Sequence, residues 1–140
     1  MFTLDPRLEQ DTILLGEFSL CKVLLMNDAR YPWVILVPRI TGVTEVFQLD
    51  AEQQQQIMVE SNFVAKTMSG LVQADKMNTA ALGNVVSQLH IHHVARYQGD
   101  ETWPAPVWGK GEAVSYSKQE SDAVCQQLKL VFAELLQDAD

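Results

Sequence analysis

The stretch Gly83-Asn84-Val85-Val86-Ser87-Gln88-Leu89-His90-Ile91-His92-His93-Val94-Ala95-Arg96 holds all three histidines of the chain. Aliphatic residues bracket the polar ones, and the spacing predicts a strand over residues 85–95 after a break at Gly83-Asn84. Successive side chains on a strand point to opposite faces, so Gln88, His90, His92 and Val94 share one side while Leu89, Ile91, His93 and Ala95 share the other. Two imidazoles and an amide then form one polar ridge. Such a ridge can be a set of satisfied polar groups on an exposed strand, a metal site in which His at i and i+2 share one zinc ion, or a site of chemistry on a ligand. A metal site needs one or two further ligands, and neither Cys21 nor Cys125 has an evident reason to approach. No metal and no cofactor is expected.

Moving outward, residues 76–82 read as the strand before the break. Residues 18–26 and 33–37, the latter ending at Pro38, read as two more strands with Asn-Asp-Ala-Arg-Tyr-Pro as the turn between them. Asp50 and Gln53 form a capping-box pair, and Ile57, Val64, Met68 and Leu71 follow at helical spacing, which predicts a helix to about residue 73. The glutamine run 53–56 is then a solvated first turn. Residues 96–116 read as a loop with Pro104, Pro106, Gly109 and Gly111. Ser117 and Glu120 repeat the capping pattern before a helix whose stripe is Val124, Leu128, Val131 and Leu135. Strands and helices do not alternate as βαβ units do, so the fold class is α+β. There is no internal repeat or Gly/Ser/Pro-rich linker, and residues 1–140 are expected to form a single domain.

Composition narrows the function. A net charge of −8 argues against any long nucleic acid, whose affinity for proteins comes largely from many Lys and Arg contacts to phosphate. A single mononucleotide remains compatible, since a few amides and an imidazole can hold one phosphate. Two widely spaced cysteines without a C-x-x-C pattern read as reduced thiols. The N-terminus mixes Asp, Glu and Arg and resembles neither a signal nor a transit peptide. No apolar run approaches the about 18 residues of a membrane span, so no membrane association and a cytoplasmic location are expected.

The register of residues 83–96 resembles the signature of the histidine triad (HIT) family, in which a Gly-Gln step precedes H-φ-H-φ-H-φ-φ, with φ hydrophobic. Gly83 and Asn84 stand at the Gly-Gln step, and Gln88, His90 and His92 at the triad positions. Leu24-Leu25-Met26-Asn27 through Val37-Pro38-Arg39 is similar to the family's nucleoside-side segment. The resemblance implies a HIT-like fold, an antiparallel sheet with one long helix and a C-terminal helix. It implies a nucleotide-binding hydrolase or transferase, acting on the α-phosphate of nucleoside phosphoramidates or (di)nucleoside polyphosphates. His90 is then the nucleophile, a neutral imidazole forming a labile phosphoramidate, with its other ring nitrogen held by a backbone carbonyl.

By the same resemblance His92 bonds phosphate oxygens or braces the site, and Asn84 presents its amide to the phosphate. Asn27 accepts from ribose hydroxyls, and Leu25, Leu36 and Trp33 wall the base of a purine nucleotide or nucleotide conjugate. Arg96 either steers phosphate or pairs with Asp100. Gln88 in place of the first His removes an imidazole proton donor but keeps an amide. His93, where the family is aliphatic, is expected at the edge of the core, and Val85 stands where many members carry Ser or Thr. Trp103 and Trp108 cover the core, an interface or the substrate. A non-catalytic nucleotide-binding module is the rival function. The family's habit of pairing, together with the apolar residues 63–72 and a strand edge at 76–82, leads to a homodimer.

Overall fold

The computed structural model describes residues 1–138. Five strands form one antiparallel sheet in the order β1-β2-β3-β5-β4: β1 Thr12–Glu17, β2 Cys21–Met26, β3 Trp33–Pro38, β4 Lys76–Ala80 and β5 Ile91–Arg96. Helices α1 Pro6–Asp11, α2 Ala51–Val72 and α3 Lys118–Val131 complete the α+β fold.

Where local chemistry is sufficient, the expectations hold. Asp50 accepts from the Gln53 N–H at 2.8 Å while the Gln53 side chain accepts from the Asp50 N–H at 3.0 Å, and α2 starts there. Ser117 and Glu120 close the same reciprocal pair at the start of α3. The turn between β2 and β3 is closed by Asp28, whose carboxylate accepts from the Arg30 N–H at 3.1 Å.

The expectations fail where a strand needs a partner. Residues 85–90 are not strand; β5 begins at Ile91, where Leu36 of β3 and then Ala80 of β4 become available through the pairs Leu36↔Ile91 and Ala80↔His92. Before that, Gly83 at φ +76° turns the chain out of the sheet, and Val85 is left 75% exposed despite its β-branched side chain. Two elements at the N-terminus have no counterpart in the sequence reading. The Asp5-Pro6 step starts α1, with Asp5 accepting from the Arg7 N–H, and β1 is interrupted by a bulge between Leu14 and Gly16 that masks its alternation.

The sheet has two occupied faces. On one, Val23, Leu25, Val34, Leu36 and Ile91 pack against Ile57, Val64 and Met68 of α2 and Leu128 of α3. Phe63 joins Phe18 and Phe132 in an aromatic cluster there, so Phe63, Val64 and Met68 face the core and not an outer surface. Met58, Val59 and Leu71 are the large apolar residues of α2 left exposed. Glu60, fully buried in α2, accepts from the Leu20 and Cys21 N–H groups at 2.9 and 3.0 Å and so ties the helix to the start of β2. On the other face Leu24, Trp33, Ile35, Val37 and Val94 pack with Leu8, Tyr31 and Val107. That second face is incompletely covered, and the opening is the cleft described next.

Candidate active site

A cleft of about 340 Å³ opens on the second face of the sheet. It is lined by Leu8 and Asp11 of α1, Met26 of β2, Ile35 of β3, the loop 82–86, His90, His92 and Trp108. Of the site residues expected from the sequence, the structure brings His90, His92 and Asn84 together in it.

The two histidines are held in opposite tautomers. His90 Nδ1 lies 2.7 Å from the Gln88 carbonyl, which can only accept, so Nδ1 carries the hydrogen and in the neutral ring Nε2 holds the lone pair. Trp33 Nε1–H donates to His92 Nδ1 at 3.0 Å; the indole can only donate, so His92 carries its hydrogen on Nε2. The ring centroids are 4.8 Å apart and nearly perpendicular. Burial, reinforced by the neighbouring His90 and His93, pushes His92 down to about 3, so it remains a neutral donor through Nε2. Trp33 and Trp108 pack edge-on to it with centroids at 5.6 and 5.1 Å. In its neutral form His90 therefore offers a bare nitrogen beside the His92 N–H, side by side in the lining of an apolar cleft.

His93 lies on the other face. It is fully buried in the core and not at its edge, donating from Nδ1 to the Val34 carbonyl at 3.1 Å and accepting at Nε2 from Ser61 Oγ at 2.7 Å. Burial pushes it down to about 4. Strand parity accounts for both positions, because His92 and His93 are consecutive on β5.

Parity also corrects the expected base walls. Leu25 and Leu36 face α2 with 1% and 0% exposure, and their chain neighbours Met26 and Ile35 line the cleft instead. The faces follow by alternation once the pairing of Ile35 with His92 is fixed. Trp33 is behind His92 and braces it. Gln88, outside the strand, does not share the histidines' ridge; its side chain bonds the backbone of Thr3 and Asp5. Asn27 Oδ1 accepts from the Tyr116 N–H at 2.9 Å and holds the segment before α3. Arg96 is 1% exposed, paired with Asp100 at 2.8 Å, bonded to Asn78 and Thr102, and stacked over Tyr31 and Trp103. Of its two readings the structure realises the Asp100 pair, which holds the Asp100 carboxyl well below the usual range. Trp108 and Asp11 are cleft residues that the sequence reading left undecided or passed over. No Lys or Arg lines the cleft among the described residues, and no three His, Cys, Asp or Glu side chains converge there or elsewhere in a metal-holding group.

The HIT domain model matches residues 7–99 of the chain. None of the curated proteins matches. Among solved structures, a histidine triad protein from Marinobacter aquaeolei is 51% identical, the alignment covering 96% of this chain and 98% of that one with a TM-score of 0.95. A histidine triad (HIT) protein from Sinorhizobium meliloti is 43% identical over 97% and 98% of the two chains, with a TM-score of 0.89. A hypothetical histidine triad nucleotide-binding protein from Sulfolobus tokodaii shares the fold at 13% identity, with a TM-score of 0.68 over 91% and 87% of the chains.

Proposed function

This chain belongs to the HIT domain family, and on that premise we propose that it is a nucleotide-binding hydrolase or transferase acting at an α-phosphate through a nucleotidyl-His90 intermediate. The observation that carries the reading is the opposed pair of tautomers, a bare nitrogen on His90 beside an N–H on His92.

In this reaction His90 Nε2 attacks phosphorus while the bond from phosphorus to the leaving nitrogen or oxygen breaks, and the leaving group departs with the bonding pair. The His92 Nε2–H and the Asn84 amide hold the phosphoryl oxygens as charge builds on them. Water then attacks the same phosphorus, the P–N bond to His90 breaks, the pair returns to Nε2, and the water's proton leaves with the nucleotide product or with solvent. Two easier displacements replace one difficult one. Substrates are nucleoside phosphoramidates or (di)nucleoside polyphosphates with a purine base against Leu8, Met26, Ile35 and Trp108, an apolar enclosure suited to a flat ring. Metal is not required in this scheme.

The non-catalytic reading draws on one observation: the Gln88 amide is committed to the N-terminal backbone, so the first triad position delivers no proton to a leaving group. Quenching the protein during turnover of an α-labelled adenosine phosphoramidate separates the two. Label bound to His90 and absent from a His90→Ala variant supports the enzyme; stoichiometric binding without label or turnover supports the binding module. The protein is further proposed to be a cytoplasmic homodimer, in which Met58 and Val59 of α2 and the free edge of β4 are covered by a second copy. No described helix is long and apolar enough to cross a membrane. Sedimentation at micromolar concentration tests the pairing: a species near twice 15.7 kDa supports it, and a single species at 15.7 kDa overturns it.

A further inference from the structure

His90 presents a lone pair to the cleft only while its Nδ1 hydrogen is held elsewhere, and the group that holds it, the Gln88 carbonyl, lies in a segment without regular secondary structure. Two anchors fix that carbonyl. On the far side of the same peptide, Leu89 N–H donates to the Val43 carbonyl at 3.0 Å. On the near side, the Gln88 side chain reaches the N-terminal arm, where Oε1 accepts from the Asp5 N–H at 2.9 Å and Nε2 donates to the Thr3 carbonyl at 2.8 Å. The arm is itself held. Phe2 and Leu4 pack on the cluster containing Leu8, Tyr31 and Trp33, and Asp5 caps α1.

We propose that Gln88 is a positioning residue whose side-chain amide clasps the N-terminal arm at Thr3 and Asp5, fixing the backbone carbonyl that sets the tautomer of His90. The catalytic consequence rests on the nucleotidyl-His90 reading; the clasp does not. An amide suits the position because it carries a donor and an acceptor on one planar group. A carboxylate has no donor, and the two ring nitrogens of an imidazole point in diverging directions. This is a physical reason for Gln where the family signature has His. The residue binds backbone on the outside of the loop, away from the cleft, and the first five residues become part of the active site without touching a ligand.

Four variants test the clasp. Gln88→Ala removes both bonds, and Gln88→Glu keeps the acceptor for Asp5 and loses the donor to Thr3. Asp5 has φ −55°, which proline can adopt, so Asp5→Pro deletes the N–H, while Asp5→Ala loses only the α1 cap and keeps the N–H. The first readout is nitrogen NMR of the His90 ring in the unliganded protein. Wild type and Asp5→Ala are expected to show one tautomer, hydrogen on Nδ1; Gln88→Ala and Asp5→Pro a mixture; Gln88→Glu a lesser mixture. The second readout is turnover of adenosine phosphoramidate, with kcat expected to fall about 10-fold in Gln88→Ala and Asp5→Pro while KM stays within about twofold. A single unchanged tautomer in either Gln88→Ala or Asp5→Pro overturns the proposal whatever happens to turnover. Tautomer mixing in a protein whose wild type turns over no nucleotide upholds the clasp and sinks the proposed reaction.

Discussion

His92 and His93 are neighbours in the chain, both buried, both pushed down by that burial, and they do different things because they lie on opposite faces of β5. His92 meets Trp33, Trp108 and His90 at the cleft, with its remaining hydrogen on the atom not taken by the indole. His93 meets the Val34 carbonyl and Ser61, which use both of its ring nitrogens. The same side chain thus keeps a free N–H where one nitrogen is spare and is a structural tie where none is. Burial and a perturbed titration are common to both residues; the unspent hydrogen-bonding atom is what sets the cleft residue apart.

The largest effect that would test this division is on His90, the other cleft imidazole. His90→Ala is expected to lower turnover by about 10³-fold or more with the thermal midpoint shifted only slightly, since the side chain belongs to the cleft and not to either apolar cluster. Near wild-type hydrolysis of an adenosine phosphoramidate by that variant would remove the chemical role of the cleft face.

The adjacent residues Leu25 and Met26 repeat the comparison on β2. Leu25→Ala is expected to cost about 2–5 kcal/mol in urea unfolding, as a core truncation. Met26→Ala, at the cleft, is expected to cost less than half as much and to raise KM for the nucleotide. Equal losses of stability would contradict the assignment of faces.

Acid pH probes both histidines at once. Each is neutral in the folded protein below its ordinary value of 6.5, so the unfolded chain takes up protons first as pH falls. Their contribution to stability is complete above pH 6.5 and is lost progressively on acidification, down to about 4 for His93 and about 3 for His92. Urea midpoints between pH 7 and 4 should fall in the wild type and fall less steeply in His93→Gln, whose turnover at pH 7 should stay close to normal. His92→Gln should also flatten the curve but lose turnover. A His93→Gln variant with an unchanged slope would show that this imidazole is not held neutral.

Trp33→Phe is expected to produce a smaller change. It removes the indole N–H that selects the His92 tautomer while keeping an aromatic ring against His92, and turnover is expected to drop about 10-fold, near 1.4 kcal/mol. Activity unaffected by the change would mean that the tautomer of His92 is set by something else. Exhaustive chelation, finally, is expected to leave turnover unaltered, and its loss with release of stoichiometric zinc would argue for a metal on the two imidazoles.

The sequence by itself determined the parts whose physics is local. Asp50 with Gln53 and Ser117 with Glu120 needed only residues three apart to start α2 and α3, and Asp28 needed only Arg30 to close the turn between β2 and β3. The order of these elements and the register of residues 83–96 were enough to indicate the family and to single out His90, His92 and Asn84. Tertiary structure decided whatever depended on a distant partner. Only pairing with Leu36 and Ala80 settles that β5 starts at Ile91, and only the stacking of α2 settles that Leu25 and Leu36 are core while Met26 and Ile35 are cleft. Asn27 and Gln88 looked available in sequence, yet the Asn27 Oδ1 is taken by Tyr116 and the Gln88 amide by the Thr3–Asp5 backbone, while of the two readings of Arg96 the pair with Asp100 is the one formed. A polar side chain is free for a ligand only if no other part of the chain reaches it first. Where those other parts lie is fixed by the packing of elements up to 89 residues apart, which no local pattern encodes.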